Sequence, residues 1–313
     1  MIKVDLITGF LGSGKTTFIR KYAQHFIDQG KRIGILENDY GAVNVDMMLL
    51  KDMRSDNLEL EMVAGACDMD CHMRRFKTKL ISMAMSGYDR VIIEPSGVFD
   101  VDEFFDVLNE EPLDKWYEIG SVIAIVDSRL ESNLSDISDY YLSSQIANSG
   151  IILLSRTQLA TPEEINATKE HILLAKEKAK LYRKNLMDII FEKPWDELTS
   201  EDFDLFSNAG YRMSSYVKLL NRDQTNYSTL YFLDTPMDKA SVLNYIEALF
   251  TNKAYGDVFR IKGFFMEGNT WYQVNATSKE SLISPIPDGQ QVLIVIGENL
   301  SEGSIKELIS QDK

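Results

Sequence analysis

The chain has 313 residues, 44% of them hydrophobic and 26% charged, with a formal net charge of −15. That length leaves room for about two domains, and the composition supplies a sizeable apolar core, which excludes a wholly disordered chain. The acidic balance argues against nucleic acid and anionic lipid as partners, because both repel such a chain at long range. There are two cysteines, Cys67 and Cys71. They build no disulfide framework and point to a reducing, cytoplasmic setting. The opening residues MIKVDLITGFLGSGKTT lack the apolar core and cleavage site of a secretory leader. The longest apolar runs, 121–126 and 150–154, are too short to cross a bilayer, so no membrane partner is expected.

In chain order, residues 3–8 read as a short apolar strand. Residues 16–29 carry Phe18, Ile19, Tyr22 and Phe26 at helical spacing and stop at Gly30. A second strand is expected over 32–37 and a helix over 73–85. Residues 90–94, 121–127 and 151–155 are continuous Val- and Ile-bearing runs, as in parallel strands covered on both faces. Strand–helix alternation of this kind predicts an α/β fold with a doubly wound, mostly parallel sheet. A charged, solvated helix follows over 162–185. A polar, acidic stretch over 191–208, with Pro194, leads out of the first domain and opens a linker taken as 191–226. Strands over 229–233, 257–265, 270–274 and 291–296, with helices over 239–250 and 304–309, then form a smaller α+β domain. The expected division is therefore 1–190, a linker 191–226, and 227–313.

Gly9-Phe10-Leu11-Gly12-Ser13-Gly14-Lys15-Thr16-Thr17 satisfies the phosphate-loop pattern G-x-x-x-x-G-K-[ST]. Gly9, Gly12 and Gly14 permit a tight turn that brings backbone amides, including that of Ser13, close to phosphate oxygens. The loop opens into a helix N-terminus, whose unpaired amides and positive dipole end attract anions. Lys15 is expected to reach the β- and γ-phosphates, and the Thr16 hydroxyl to ligate Mg²⁺. Hydrolysis also needs an acid on a neighbouring strand. Glu94 ends one such strand at the carboxyl edge of the sheet, where nucleotides bind in open α/β folds. Asp39 and Asp127 lie on the same edge, and the Gly97 amide is placed to meet the γ-phosphate.

Taken together, these segments resemble the CobW-like P-loop GTPases, which include metallochaperones and metal-insertion helpers. GFLGSGKTT matches that family's phosphate loop. Asn38-Asp39-Tyr40-Gly41 resembles its N-E-F-G segment, with Asp46 following. Glu94-Pro95-Ser96-Gly97 matches its E-x-x-G, and Ala124-Ile125-Val126-Asp127 its V-V-D strand end. Tyr255–Gly263 and Val295-Ile296-Gly297 resemble its C-terminal domain. The resemblance implies a GTP hydrolase that delivers a divalent transition metal to a client metalloprotein, and because the sequence offers no obvious arginine finger, slow intrinsic turnover accelerated by a partner is expected. A nucleotide-dependent homodimer is part of that expectation.

Two departures stand out. The family's N-K-x-D, which reads guanine, is here Ser155-Arg156-Thr157-Gln158. A Gln amide cannot copy a carboxylate's two acceptors, which should cost about 1.5–3 kcal/mol of guanine preference, so ATP stays open beside GTP. The family's G-C-x-C-C is here Gly65-Ala66-Cys67-Asp68-Met69-Asp70-Cys71-His72. On a helix Cys67 and Cys71 would share one face. Thiolate and imidazole suit Zn²⁺, or Co²⁺ or Ni²⁺, with Asp39, Asp68 or Asp70 completing four-coordination. The rival readings are an ATP-using P-loop kinase and a nucleotide-gated binding module with no metal role.

Overall fold

The structure is a computed structural model that describes residues 1–38, 50, 53, 55–63, 69–95, 101–131, 134–214, 227–233 and 235–310. The chain divides into two compact units, Met1–Asn221 and Arg222–Lys313.

In the first unit β1 (Ile2–Gly9), β2 (Ile33–Asn38), β3 (Leu58–Val63), β4 (Arg90–Pro95), β5 (Tyr117–Asp127), β6 (Ile151–Ser155) and β7 (Ile190–Phe191) form one sheet. Its order is β3-β2-β4-β1-β5-β6-β7, and each neighbouring pair is parallel. The helices are α1 (Lys15–Asp28), α2 (Met69–Ala84), α3 (Val101–Leu108), α4 (Leu113–Trp116), α5 (Asp136–Ala147), α6 (Pro162–Lys178) and α7 (Ser200–Ser207). The continuous apolar runs of the strands serve both faces by alternation. Val91, Ile93 and Val122 join the core that includes Phe76 and Phe104. Ile92, Ile123 and Ile125 turn to the other face, against Phe18, Tyr22, Phe203 and Phe206. A doubly wound, parallel α/β sheet was the expectation, and it is the architecture found.

One buried charge cluster lies inside this sheet. Asp5, fully buried, ion-pairs with Arg90 and accepts from Tyr22 Oη at 2.8 Å and from the Ser121 amide at 2.8 Å. Gly120 makes room for it, since a Cβ there would stand 2.3 Å from Asp5 Oδ1.

Several expected boundaries move. The charged helix ends at Lys178 rather than 185, because Lys180 and Asn185 take positive φ. Its start is fixed by a capping box between Thr161 and Glu164, with Pro162 in the first turn. The helix expected from 73 begins at Met69, which brings Cys71 and His72 onto it. The stretch expected as a linker from 191 is partly core. Phe191, Trp195, Leu198, Phe203 and Phe206 pack with the α1 face of the sheet, and α7 is capped by Thr199.

The second unit holds β8 (Tyr227–Leu233), α8 (Lys239–Thr251), β9 (Asp257–Glu267), β10 (Thr270–Ala276), β11 (Ser281–Ile286), β12 (Val292–Glu298) and α9 (Glu302–Ser310). Its sheet order is β11-β10-β9-β12-β8, antiparallel throughout. Val242, Tyr245 and Leu249 of α8 and Ile305 and Ile309 of α9 pack with Ile261, Phe265, Leu293 and Val295. Strand β11 was not foreseen. Among the described residues no helix is long and apolar enough to cross a membrane.

Candidate functional site

The phosphate loop joins β1 to α1 at the carboxyl edge of the sheet. Two glycines explain its shape. Gly9 has φ 149°, and a Cβ there would collide with the Ile125 carbonyl oxygen at 2.3 Å, so the loop leaves β1 in direct backbone contact with β5. Gly14 has φ 101° and ends the loop in the left-handed region as the N-cap of α1. No side chain caps α1 there, so its first amides stay oriented toward the loop.

Lys15 is 6% exposed, and its Nζ donates to the carbonyl oxygens of Gly9 at 3.0 Å and Phe10 at 3.4 Å. These carbonyls belong to the loop itself, so they hold the ammonium against it. Thr16 Oγ1 donates to Glu94 Oε1 at 3.1 Å, so the two residues expected to share Mg²⁺ chemistry are in contact. Ser13 is buried, and its Oγ would be 2.8 Å from a Cβ on Gly9. Thr17 is exposed on the first turn of α1. Gly12 offers its carbonyl to Arg156.

Sequence reasoning missed Glu37. It pairs in register with Glu94 on the adjacent parallel strand, and both are buried, at 3% and 4% exposure. Register partners on parallel strands point the same way. Glu37 thus lies next to Glu94, which itself accepts from the Thr16 hydroxyl, and oxygen-bearing side chains of this kind suit a hard cation such as Mg²⁺. The fit to magnesium therefore rests on Thr16, Glu94 and Glu37. The missed signal was a Glu near the end of an otherwise apolar strand.

The segment Ser155–Gln158 begins on the last residue of β6. Ser155 is buried, and its Oγ donates to the Val126 carbonyl at 3.5 Å. Arg156, at φ 56°, sends Nη1 to Gly12 O at 2.9 Å and to Asp127 Oδ2 at 2.8 Å. It braces the phosphate loop against the end of β5. Gln158 is exposed.

Of the residues expected to hold a transition metal, Cys71 and His72 lie on the first turns of α2, Cys71 half-buried and His72 fully buried. His72 Nε2 is 2.7 Å from Asn38 Oδ1 at the end of β2. Burial, with Arg75 nearby, pushes the His72 ring down to about 4, so it is neutral at pH 7 and keeps a ligating lone pair. Asp39, Asp46, Cys67, Asp68 and Gly97 lie outside the described residues, as does the side chain of Asp70. Among the described residues no group of three His, Cys, Asp or Glu stands together as a metal cage.

Comparison with known proteins bears on the whole arrangement. The chain is 30% identical over 168 residues to the zinc chaperone YeiR of Escherichia coli, an alignment that takes in 53% of this chain and 50% of YeiR. It is 27% identical over 283 residues to the zinc chaperone YjiA of the same organism, with 84% of this chain and 81% of YjiA aligned. The chain thus spans most of one relative's length and half of the other's. A crystal structure of zinc-bound YjiA GTPase from E. coli aligns over 99% of this chain and 98% of that one, at 22% identity and a TM-score of 0.38. The family model described as CobW/HypB/UreG, nucleotide-binding domain, matches residues 3–183. That match takes in more than half of the chain and every described residue of the phosphate loop, the Glu94 strand and the Ser155–Gln158 segment, so the chain belongs to the CobW/HypB/UreG family.

Proposed function

We propose that the chain is a magnesium-dependent GTPase that works as a zinc metallochaperone for a client metalloprotein. The carrying observation is the loop itself: Lys15, buried on two carbonyls, stands at the start of α1 beside the Thr16–Glu94 hydrogen bond. GTP binds with its phosphates against the loop amides and the Lys15 ammonium, which shifts from the Gly9 and Phe10 carbonyls to phosphate oxygens. Thr16, Glu94 and Glu37 hold Mg²⁺, which when bound offsets the charge on the phosphates. Glu94 and Asp39 orient the attacking water, and the Gly97 amide meets the γ-phosphate. No arginine finger is assigned, so intrinsic turnover is slow until a partner supplies the missing charge.

Zinc is the cargo. Cys67, Cys71, His72 and Asp39 take it up, and Co²⁺ and Ni²⁺ are weaker rivals for a thiolate–imidazole set. This reading is supported by the names of the relatives above and by His72 touching Asn38, one residue from Asp39. That contact joins the metal helix α2 to β2, so nucleotide state and zinc affinity are coupled. Unit 227–313 docks the client, the protein works in the cytoplasm, and a nucleotide-dependent homodimer completes the cycle. A second reading, ATP in place of GTP, is favoured by Gln158 alone.

The test is a calorimetric zinc titration with and without Mg²⁺-GTP or Mg²⁺-ATP, run beside a phosphate-release assay. We expect GTP binding, slow phosphate release, and a zinc affinity that changes at least fivefold on nucleotide loading. Cys71→Ser should weaken zinc about tenfold without touching GTP affinity. Zinc binding indifferent to both nucleotide and Cys71 would remove the metallochaperone role.

A further inference from the structure

A cleft of about 510 Å³ runs along the outer side of α1. One wall is Thr17, Lys21 and Gln24. The other comes from the turn between β7 and α7, chiefly Trp195, Asp196 and Leu198. Its placement beside the phosphate loop is what gives it meaning. A Cβ on Gly14 would lie 3.2 Å from the outer edge of the Trp195 ring and 3.7 Å from Ser155 Cβ. Trp195 therefore packs directly over the last glycine of the loop, next to the segment that aligns with the family's guanine reader.

Half of the indole is committed to the core. Its ring centroid stands 5.7 Å from that of Phe18, while the residue as a whole remains half-buried at the cleft. Exposed Thr17, on the first turn of α1, lines the cleft, so a nucleoside extending from phosphates at the loop past Thr17 has a path open to it. That path leads into the cleft. An aromatic face there receives any nucleobase, since every base has a π-face.

Discrimination needs a polar group. The cleft presents two carboxylates, Asp28 and Asp196. At 1.5 Å per residue, Asp28 lies about 16 Å along α1 from Thr17, too far for a nucleoside anchored at the loop. Asp196 pairs at 3.0 Å with Lys21, which is only about 6 Å along the helix from Thr17. The Asp196 side chain is 87% exposed, so that pair is weak and is exchanged for a better partner at little cost. Guanine offers adjacent N1–H and N2–H donors, a match for a carboxylate's two acceptors; adenine offers one donor beside an acceptor. Arg156 is already engaged with Gly12 and Asp127.

We infer that the nucleoside of the bound nucleotide lies in this cleft, its base against Trp195 and its guanine edge read by Asp196 in place of the acid missing at Gln158. The inference rests on the nucleotide-binding reading above and assigns the base specificity that reading leaves to the family.

The experiment titrates the full chain and its Trp195→Ala, Trp195→Phe and Asp196→Asn variants with Mg²⁺-GTP, Mg²⁺-ATP and inorganic tripolyphosphate. Trp195→Ala should weaken GTP and ATP alike by about tenfold. Trp195→Phe should weaken them less, and neither variant should change tripolyphosphate binding. Asp196→Asn should weaken GTP about tenfold and leave ATP unaltered. Wild-type GTP affinity in Trp195→Ala overturns the seat. So does an equal loss of tripolyphosphate in both Trp195 variants, which would make the indole only a prop for the loop. An Asp196→Asn variant with an unchanged GTP-to-ATP ratio overturns the base-reading role. A wild-type chain that ignores tripolyphosphate as well as both nucleotides sinks the nucleotide site itself, a failure distinct from these.

Discussion

Two of the places where the first unit buries charge are built on different principles. In the middle of the sheet, Asp5 is saturated by Arg90, Tyr22 and the Ser121 amide, and the cluster sums to a neutral, closed object. At the carboxyl edge, Lys15 rests on two carbonyls while Thr16 leans on Glu94 beside Glu37. The first arrangement is costly to break, because losing one member strands a buried charge. The second gathers an ammonium, a hydroxyl and two carboxyl side chains at the sheet edge where the phosphate loop begins α1.

The contrast can be broken by mutation. Arg90→Leu should be the costliest change, because it strands Asp5 in a dry sheet; we expect a loss of about 3–5 kcal/mol in urea unfolding, independent of nucleotide. Lys15→Ala should do the reverse. It should lower nucleotide affinity by about 1.5–3 kcal/mol, the scale of a charge-assisted hydrogen bond. Unliganded unfolding should move by less than about 1 kcal/mol, since a buried ammonium is itself costly to desolvate. Glu94→Gln sharpens the comparison at the smallest scale in stability. It keeps an acceptor for Thr16 and removes one of two neighbouring charges, so the unliganded chain should hold its melting temperature while the magnesium dependence of phosphate release weakens about tenfold. If Lys15→Ala and Arg90→Leu lost comparable folding stability, the distinction between the two clusters would be void.

The sequence made the phosphate loop legible because nearly every requirement there is local: glycines for backbone turns, a lysine, a hydroxyl, and a helix directly after. The strands of the sheet centre were equally plain as apolar runs. Helix α5 was not foreseen. Ser138 through Ala147 are all buried, so its polar and apolar residues follow no one-sided pattern that would mark a helix. Strand β3 carried a readable signal that was passed over, Leu58 and Leu60 inward with Glu59 outward. Glu37, Trp195 and the bracing contacts of Arg156, a residue the sequence had already placed in the base-reading segment, escaped for another reason. Their roles depend on pairing across strands or on a turn that returns to the loop from far along the chain, and spacing within one segment carries no trace of that.

The absent side chain of Gly9 has a mechanical consequence. With only backbone between the loop and the Ile125 carbonyl, a ligand that tightens the cradle stiffens the adjoining strand β5 through main-chain contact alone. Hydrogen exchange of the β5 amides around Ile125 should therefore slow on nucleotide loading, although no residue of that strand's interior need touch the ligand.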